Sequence, residues 1–401
     1  MRSRYYNKSN EGREAQMKKK KIGTLLISTF AAAALLTGCG AGTARGETIQ
    51  AEGKTTGIAG VESAGQKVAL GTGGKTKVIT PDTEIRQIEN GLTAVRYDGD
   101  YWFSQFLEQG GASSDSEVVQ FITGQLQLGS ADIGFETGGF GCSTLTVKNT
   151  EGETLFGRNF DWENCEAMIV QSAPSDGYAS IATVNMDFIR SGYGAGLSDF
   201  PDEIRTLIAL YAPLDGMNEK GLAVSVNMIQ DSDVINQDTG KPDVTITTAI
   251  RLLLDRAADV EEALTLLRQY DMHSSMGMMV HFALADKSGR SVAVEYIGNE
   301  MVVTETPVVT NFYLAPGEKQ GIGTSQSHTR YEILMKRLNE GGAASMDGVR
   351  DALDSVSKDN FGEFESTEWS IVFNLEQGEV RYYHRENYEN SYLFRVNEQA
   401  G

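Results

Sequence analysis

Residues 138–162 read GGFGCSTLTVKNTEGETLFGRNFDW, and this stretch decides the fold of the chain. Polar and apolar residues alternate from Cys142 onward, turn-forming residues occupy 149–153, and a second strand-like run covers 154–161. The pattern predicts a β-hairpin that begins at the cysteine. Its second strand would return the chain to the neighbourhood of Cys142.

Cys142 is predicted to become the first residue of a mature chain through cleavage of its bond to Gly141. Gly138, Gly139 and Gly141 lie just before it and permit the backbone excursions that self-cleavage needs. The freed cysteine would carry a thiol that attacks amides and an α-amine, pKa roughly 7.7 to 8.0, that serves as its base. The pattern therefore indicates an N-terminal cysteine nucleophile that requires no catalytic histidine. In the plainer interpretation the glycines only form a loop.

The first 39 residues have the layout of a bacterial secretory signal. A positive cluster at Lys18–Lys21 precedes an apolar run at Ile22–Leu36 that is too short to span a bilayer comfortably. The run closes with Leu36-Thr37-Gly38-Cys39, which matches the lipobox of bacterial lipoproteins. We therefore expect diacylglyceryl attachment at Cys39 and an extracytoplasmic protein anchored to the bacterial cell membrane. An ordinary signal peptide with an incidental cysteine is the alternative.

Two cysteines, Cys142 and Cys165, follow Cys39, and in an extracytoplasmic chain they could form a disulfide. A disulfide would leave the neighbouring glycines and the charged residues Arg158 and Asp161 unexplained. A nucleophile is therefore favoured at position 142, and Cys165 is expected to be a free, buried thiol. Taken alone, Arg158 and Asp161 could be a structural ion pair at the end of a strand.

Four segments are expected along the chain: a lipoprotein signal peptide at 1–39, a flexible tether at 40–79, a structured pro-segment at 80–141 and a catalytic domain at 142–401. The tether is rich in Gly, Thr, Ala and Lys and poor in large apolar side chains, so it cannot bury enough surface to fold. The pro-segment contains aromatic residues and a helix predicted at 114–127, which Ser114 or Asp115 could cap.

Hydrophobic periodicity predicts an alternation of sheet and helix in the catalytic domain. Strands are predicted at 142–147, 154–161, 168–171, 180–186, 222–228, 279–286, 291–296, 369–375 and 379–384. Helices are predicted at 247–258, 261–270, 329–339 and 346–355. Runs of strands broken by a helical block are typical of an α+β protein with layered sheets.

The net charge of the chain limits the kinds of partner that it can bind. It carries 35 Lys and Arg against 55 Asp and Glu, a formal net charge of −20. Removal of residues 1–39 takes away 8 basic and 2 acidic residues and moves the net charge to near −26. Such a surface repels phosphate backbones, so no nucleic-acid partner is expected. The four histidines show no metal-ligand spacing, and neither a metal nor a cofactor is predicted.

The spacing of Cys142, Arg158 and Asp161 within the quoted stretch resembles that of the choloylglycine hydrolase or linear amide C-N hydrolase family. This family of N-terminal nucleophile cysteine hydrolases includes bile salt hydrolases, penicillin V acylases and acid amidase-like enzymes. The likeness continues downstream in consistent order, through the three segments Met217–Asn227, Val308–Asn311 and Ser327–Tyr331.

The resemblance implies a four-layer α-β-β-α sandwich and a catalytic set of six residues. They are the nucleophile Cys142, Arg158 beside its thiol, Asp161 to orient the α-amine, Asn227 and Asn311 as oxyanion donors, and a late active-site arginine, Arg330. On the residues alone, each asparagine could equally be a turn or cap residue. Arg330 could likewise be a surface charge near the start of a helix.

The activity implied by the resemblance is hydrolysis of linear amide C-N bonds in small N-acyl compounds. Conjugated bile acids, fatty N-acyl amino acids or ethanolamides, and acylated lactams are the candidate substrates. An acyltransferase in which an amine replaces water, and an inactive lipoprotein that binds acylated ligands, are the alternatives. The oligomeric state is not predicted.

Overall fold

The structure, a computed structural model, describes residues 74–128, 133–135, 140–191, 200–229, 234–277, 279–361 and 365–397. All of them lie in one compact unit, Leu70–Gly401. The expected signal peptide with Cys39, the first 34 residues of the tether, and Gly138 and Gly139 lie outside the described residues.

Two large sheets dominate the described part of the chain. The first contains, in spatial order, β1 (Lys75–Val78), β20 (Asn390–Arg395), β19 (Glu379–His384), β18 (Ser366–Asn374), β6 (Thr154–Trp162), β5 (Gly141–Lys148) and β17 (Val308–Val309). The second contains β16 (Glu300–Glu305), β15 (Ser291–Ile297), β14 (Val280–Asp286), β11 (Leu222–Met228), β10 (Asp215–Asn218), β8 (Ser180–Asn185), β7 (Ala167–Ser172), β3 (Leu92–Tyr97) and β2 (Arg86–Glu89). Two small sheets pair β12 (Asp243–Thr245) with β13 (Asp271–His273) and β4 (Ile133–Phe135) with β9 (Ile189–Ser191).

Helices cover both large sheets. The α-helices within the described ranges are α1 (Phe103–Glu108), α2 (Asp115–Gln125), α3 (Asp202–Leu210), α4 (Ile246–Arg256), α5 (Val260–Leu267), α6 (Ser325–Asn339) and α7 (Met346–Asp354). Helices α6 and α7 pack on the first sheet, α3 to α5 pack on the second, and the sheets face each other through β5 and β11. The predicted α+β class and its four-layer α-β-β-α arrangement are confirmed.

The predicted hairpin forms as β5 and β6, in a register that pairs Gly141 with Asp161 and Cys142 with Phe160. Its turn is stabilised by Asn149, whose Oδ1 accepts hydrogen bonds from the main-chain N–H groups of Glu151 and Glu153. Such local bonds are why asparagine favours turns. The hairpin therefore forms from its own sequence and places the cysteine on a central strand.

Alternate residues of a strand point to opposite faces of the sheet. Cys142 and Phe160 accordingly lie in the core between the two sheets, whereas Leu145 packs with Val349 and Leu353 of α7 in the core under the helices. The nucleophile is therefore placed between the sheets.

The start of the described chain differs from the predicted tether. Lys75–Val78, assigned to the tether, forms β1 and pairs in parallel with β20, Lys75 opposite Asn390 and Val78 opposite Leu393. An exposed segment without a core of its own is held here by main-chain hydrogen bonds to a sheet edge. Residues 75–78 are therefore part of the folded unit.

The segment predicted to be a pro-segment is also part of the sheets. Strand β3 pairs in parallel with β7 over six residues, Leu92 opposite Ala167 through Tyr97 opposite Ser172. The predicted helix at 114–127 is observed as α2, and the Ser114 side chain caps it by accepting a hydrogen bond from the Glu117 N–H. None of the helices in the described ranges is long and apolar enough to cross a membrane.

Candidate active site

Cys142 is completely buried near the start of β5. Its main-chain N–H donates to Asn311 Oδ1 at 2.8 Å, and its Sγ lies 3.5 Å from the carbonyl oxygen of Val226 on β11. Cys142 and Cys165 are both free and buried, as the nucleophile hypothesis requires. The thiol is therefore held between the sheets with the amide that would become its α-amine already hydrogen-bonded.

Arg330 connects the predicted site residues. From helix α6, its Nη1 donates to the carbonyl oxygen of Cys142 at 2.7 Å, to Ser143 Oγ at 2.8 Å and to Asp161 Oδ2 at 3.1 Å. Its Nη2 donates to Asn311 Oδ1 at 2.7 Å. The side chain is only 2% exposed, so it is a buried connector and not a surface charge.

Arg158 and Asp161 lie on opposite faces of β6, because they are three positions apart. Arg158 lies between the sheets, where its Nε donates to Asp215 Oδ2 at 2.8 Å in an ion pair with no solvent exposure. Asp161 lies on the helix side, opposite Gly141, and accepts from Thr367 Oγ1 at 2.7 Å as well as from Arg330. One charged pair therefore flanks the cysteine on each face of the sheet.

The main-chain nitrogen of Cys142 is hydrogen-bonded to Asn311 and not to Asp161, its predicted partner after cleavage. The strand pairing explains this. Asn311 follows β17, whose Val309 pairs with Thr144, and this register carries the Asn311 side chain over the Cys142 nitrogen. In the uncleaved chain Asn311 is therefore the acceptor for that N–H.

Both predicted oxyanion donors already have partners. Asn227 Nδ2 donates to the carbonyl oxygens of Val309 at 3.0 Å and Thr310 at 3.4 Å, and Asn311 Nδ2 donates to that of Met228 at 2.6 Å. The two side chains thus tie β11 to the segment after β17. In the uncleaved chain both amide nitrogens are therefore engaged with main-chain carbonyl oxygens.

The electrostatics of the site keep the thiol protonated. The pKa of Cys142 is raised to about 11, chiefly because the thiol is buried. The Arg158 guanidinium lowers this pKa in part, and the Asp161 carboxylate raises it. A thiol with this pKa is almost wholly un-ionised at neutral pH. Reactivity would therefore require a nearby base, which the α-amine of a cleaved chain would supply.

A cavity of about 290 Å³ adjoins the Gly141–Cys142 bond. Its lining includes Gly141, Asn311 and Arg330, the start of α6 and Lys358. The Lys358 side chain is 5% exposed and pairs with Glu365 at 2.9 Å. The cavity therefore lies on the polar, helix-facing side of Gly141.

Four residues of the site lie outside the sequence prediction: Asp215, Ser143, Thr367 and Lys358. Asp215 is the clearest, because its Oδ2 accepts from both Arg158 and the indole Nε1 of Trp369. A buried arginine needs a buried carboxylate, and Asp215 stands in an otherwise apolar run just before Met217–Asn227. That pairing rule was the available signal for it. Thr367 and Lys358 are distant in sequence and carry no such signal.

Among the described residues, no three His, Cys, Asp or Glu side chains converge in a way that could hold a metal ion.

The family model of the linear amide C-N hydrolases, choloylglycine hydrolase family, matches residues 142–312. This segment is similar to the choloylglycine hydrolase family. It contains Cys142, Arg158, Asp161, Asn227 and Asn311, whereas Arg330 lies beyond it. The matched family is one of linear amide C-N hydrolases, and it acts on small N-acyl amides.

Solved structures give three further likenesses. Penicillin V acylase from Agrobacterium tumefaciens is 18% identical and covers 61% of this chain and 83% of its own, with a TM-score of 0.44. Two variants of conjugated bile acid hydrolase from Clostridium perfringens are 18% and 17% identical, and both cover 65% of this chain with a TM-score of 0.47. They cover 93% and 94% of their own lengths. A comparison with curated proteins finds no similar sequence.

Proposed function

We propose that this linear amide hydrolase is a lipid-anchored N-terminal cysteine amidohydrolase that matures by cleaving its own Gly141–Cys142 bond. Its substrates are conjugated bile acids or fatty N-acyl amides. One observation carries the proposal: the junction is held on both sides of Cys142. Asn311 accepts from the Cys142 nitrogen and Arg330 donates to the Cys142 carbonyl, so cleavage would free an amine that already has its acceptor.

Self-cleavage uses the thiol that later serves in catalysis. Cys142 Sγ attacks the carbonyl carbon of Gly141, the C–N bond between the residues breaks, and the thiol proton moves to the departing nitrogen. The product is a thioester of Gly141 on Sγ together with a free α-amine. Water then hydrolyses the thioester, which releases the Gly141 carboxylate and regenerates the thiol.

The substrate reaction repeats these steps with an external amide. The α-amine accepts the thiol proton, Sγ attacks the acyl carbon, and the amine returns the proton to the leaving nitrogen. Arg158, whose guanidinium lies beside the thiol between the sheets, favours its ionised form, as its lowering effect on the Cys142 pKa supports. Asp161 acts through Arg330, to which it is hydrogen-bonded.

The carboxamides of Asn227 and Asn311 stabilise the tetrahedral oxyanion in this proposal. Both side chains are buried close to Cys142, which supports the assignment. Asn227 accepts a hydrogen bond from Arg158, and Asn311 accepts one from the Cys142 N–H. Their N–H groups must exchange main-chain carbonyl partners for the oxyanion. Loss of one such donor typically raises an activation barrier by about 3 to 4 kcal/mol.

The anchor and location of the proposal rest on the sequence. The lipobox that ends at Cys39 would supply a diacylglyceryl group, and the apolar run before it would export the chain. The hydrolase would then work outside the cytoplasm, at the surface of the cell membrane.

Intact mass of the purified full chain tests the cleavage. The wild-type protein is expected to give two polypeptides, one that ends at Gly141 and one that begins at Cys142. Cys142→Ala should remain whole and should lose amidase activity by more than about a thousandfold, because nucleophile, base and cleavage are lost together. Cys165→Ala is the matched control, since it removes the other buried thiol and should be processed normally. A whole wild-type chain that hydrolyses amides would refute the mechanism.

A further inference from the structure

We infer that the self-cleavage junction is a template for the acyl group of the substrate, so that the enzyme disfavours amides whose first acyl carbon carries a branch in the position of an L side chain. This inference rests on the proposed function and adds to it a steric limit at the first acyl carbon. It starts from the glycine at position 141, which supplies the acyl carbonyl in self-cleavage.

The Cα of Gly141 lies against a fixed wall. A Cβ added there in the L configuration would lie 2.8 Å from Asp161 Oδ2, 3.1 Å from Asp161 Cβ and 3.2 Å from Lys358 Cε. Asp161 has no solvent exposure and is held by Thr367 and Arg330. Because the nearest atoms belong to a side chain that is fixed by hydrogen bonds, moving it to make room for a substituent would cost free energy.

The same wall faces the substrate, because the two reactions share one intermediate. Self-cleavage forms a thioester in which the Gly141 carbonyl carbon is bonded to Cys142 Sγ and its Cα is the first acyl carbon. Attack on an external amide forms a thioester on the same sulfur, and the first acyl carbon of the substrate takes the place of that Cα. A branch on the first acyl carbon that points towards Asp161 and Lys358 would then clash with these side chains, as an L side chain at position 141 would.

The residue before the glycine indicates which kind of group the methylene should carry. The Phe140 ring is 2% exposed and packs against Phe160 and Phe188, with centroid distances of 5.3 and 6.1 Å. Phe160 in turn stacks on Trp369 at 4.0 Å. An apolar acyl tail that replaced Phe140 would retain this aromatic packing. The assigned substrates are therefore amides of the form R–CH₂–CO–NH–R′ with an apolar R.

Chiral amides isolate the contribution of the wall. The mature enzyme is given 7-amino-4-methylcoumarin amides of hexanoic acid and of the two enantiomers of 2-methylhexanoic acid. The enantiomers have equal intrinsic reactivity, so the ratio of their kcat/KM values reports only the pocket. The enantiomer with its methyl group in the position of an L-alanine side chain should be slower by about tenfold or more. Equal rates for the enantiomers would overturn the inference.

A lysine variant tests the wall itself. Lys358→Ala removes one of the three contacts and should raise the relative rate of the disfavoured enantiomer severalfold. Lys336→Ala, a change of the same type at a 74% exposed side chain on α6, should leave the ratio unchanged. An unchanged ratio in Lys358→Ala would overturn the assignment of Lys358 to the wall. The wild-type enzyme could hydrolyse another linear amide, with the expected loss in Cys142→Ala, and yet hydrolyse none of the three test amides. That result would show that the inferred substrate is wrong. If no amide is hydrolysed at all, the proposed function fails.

Discussion

Two buried ion pairs flank Cys142, one on each face of the sheet that carries it. Arg158 pairs with Asp215 between the sheets, and Arg330 pairs with Asp161 on the helix side. Removal of one partner from such a pair leaves a charge without compensation in the interior and typically costs about 3 to 5 kcal/mol, whereas the intact pair contributes little net stability. Both pairs therefore act as positioning devices that fix the guanidinium groups on either side of the nucleophile.

The protonated thiol makes self-cleavage dependent on pH. Burial raises the pKa of Cys142 to about 11 in the uncleaved chain, so the ionised fraction rises about tenfold for each pH unit below that value. The first-order rate of cleavage, followed by mass after refolding of the full chain, should therefore increase about tenfold per unit between pH 7 and pH 9. A rate that is level over this range would show that ionisation of the thiol does not limit cleavage.

At this scale the sequence predicts which residues gather but not how they are oriented. Hydrogen bonds connect Cys142, Asp161, Asn311 and Arg330, and a separate hydrogen bond connects Arg158 with Asn227. The offset of three residues between Arg158 and Asp161 already places them on opposite faces of a strand. The acceptor of the Cys142 N–H could not be predicted, because it depends on the register of β17 against β5.

At the scale of elements, local contacts decide what the sequence predicts. The hairpin β5–β6 and the helices α4 to α7 follow from periodicity and from turn or capping residues near their ends. Strand β1 and helix α3 lie outside the prediction. The partner of β1 is β20, more than three hundred residues away, so nothing near β1 in the chain signals that it is a strand.

The strand β3 should keep the predicted pro-segment bound after cleavage, while Phe140 and Gly141 at its end withdraw to admit the substrate. Leu92 and Val95 have no solvent exposure. Strand β3 lies next to the edge of the second sheet, between β7 and the edge strand β2. The cleaved wild-type protein should therefore elute from size exclusion as one species that contains both polypeptides, and should separate only in denaturant. Separate elution of the two polypeptides in native buffer would contradict this.

A matched pair of variants checks that β3 is the cause. Val95→Asp buries an unpaired carboxylate at a cost of several kcal/mol and should release the pro-segment or prevent folding. Gln87→Asp introduces the same charge at an exposed position on β2 and should leave both polypeptides together.

At the scale of the whole molecule, the charge and the expected anchor act together. Residues 40–401 carry 27 Lys and Arg against 53 Asp and Glu, so under the proposed location this part of the chain would be repelled from anionic headgroups and would need the lipid to stay at the membrane. A diacylglyceryl group supplies two acyl chains, which suffice for stable anchoring.

Replacement of the lipobox cysteine tests the anchor. The wild-type protein, expressed in a bacterium, should sediment with the membrane fraction and partition into detergent, whereas Cys39→Ser should remain in the aqueous phase. Amidase activity per molecule should be the same in both, since Cys39 lies outside the folded unit. A Cys39→Ser protein that still partitions into detergent would refute lipidation at this residue.

Strand β1 also makes the first sheet end in a short strand with two lysines, a kind of edge that disfavours pairing with another chain. It covers β20, with the Lys75 N–H donating to the Glu389 carbonyl and the Ile79 N–H to the Leu393 carbonyl. A shortened chain that begins after Val78 would leave the β20 backbone open, and an unpaired strand edge is a template for aggregation. A secreted version trimmed to the pro-segment boundary would therefore be less soluble than one that starts before residue 74.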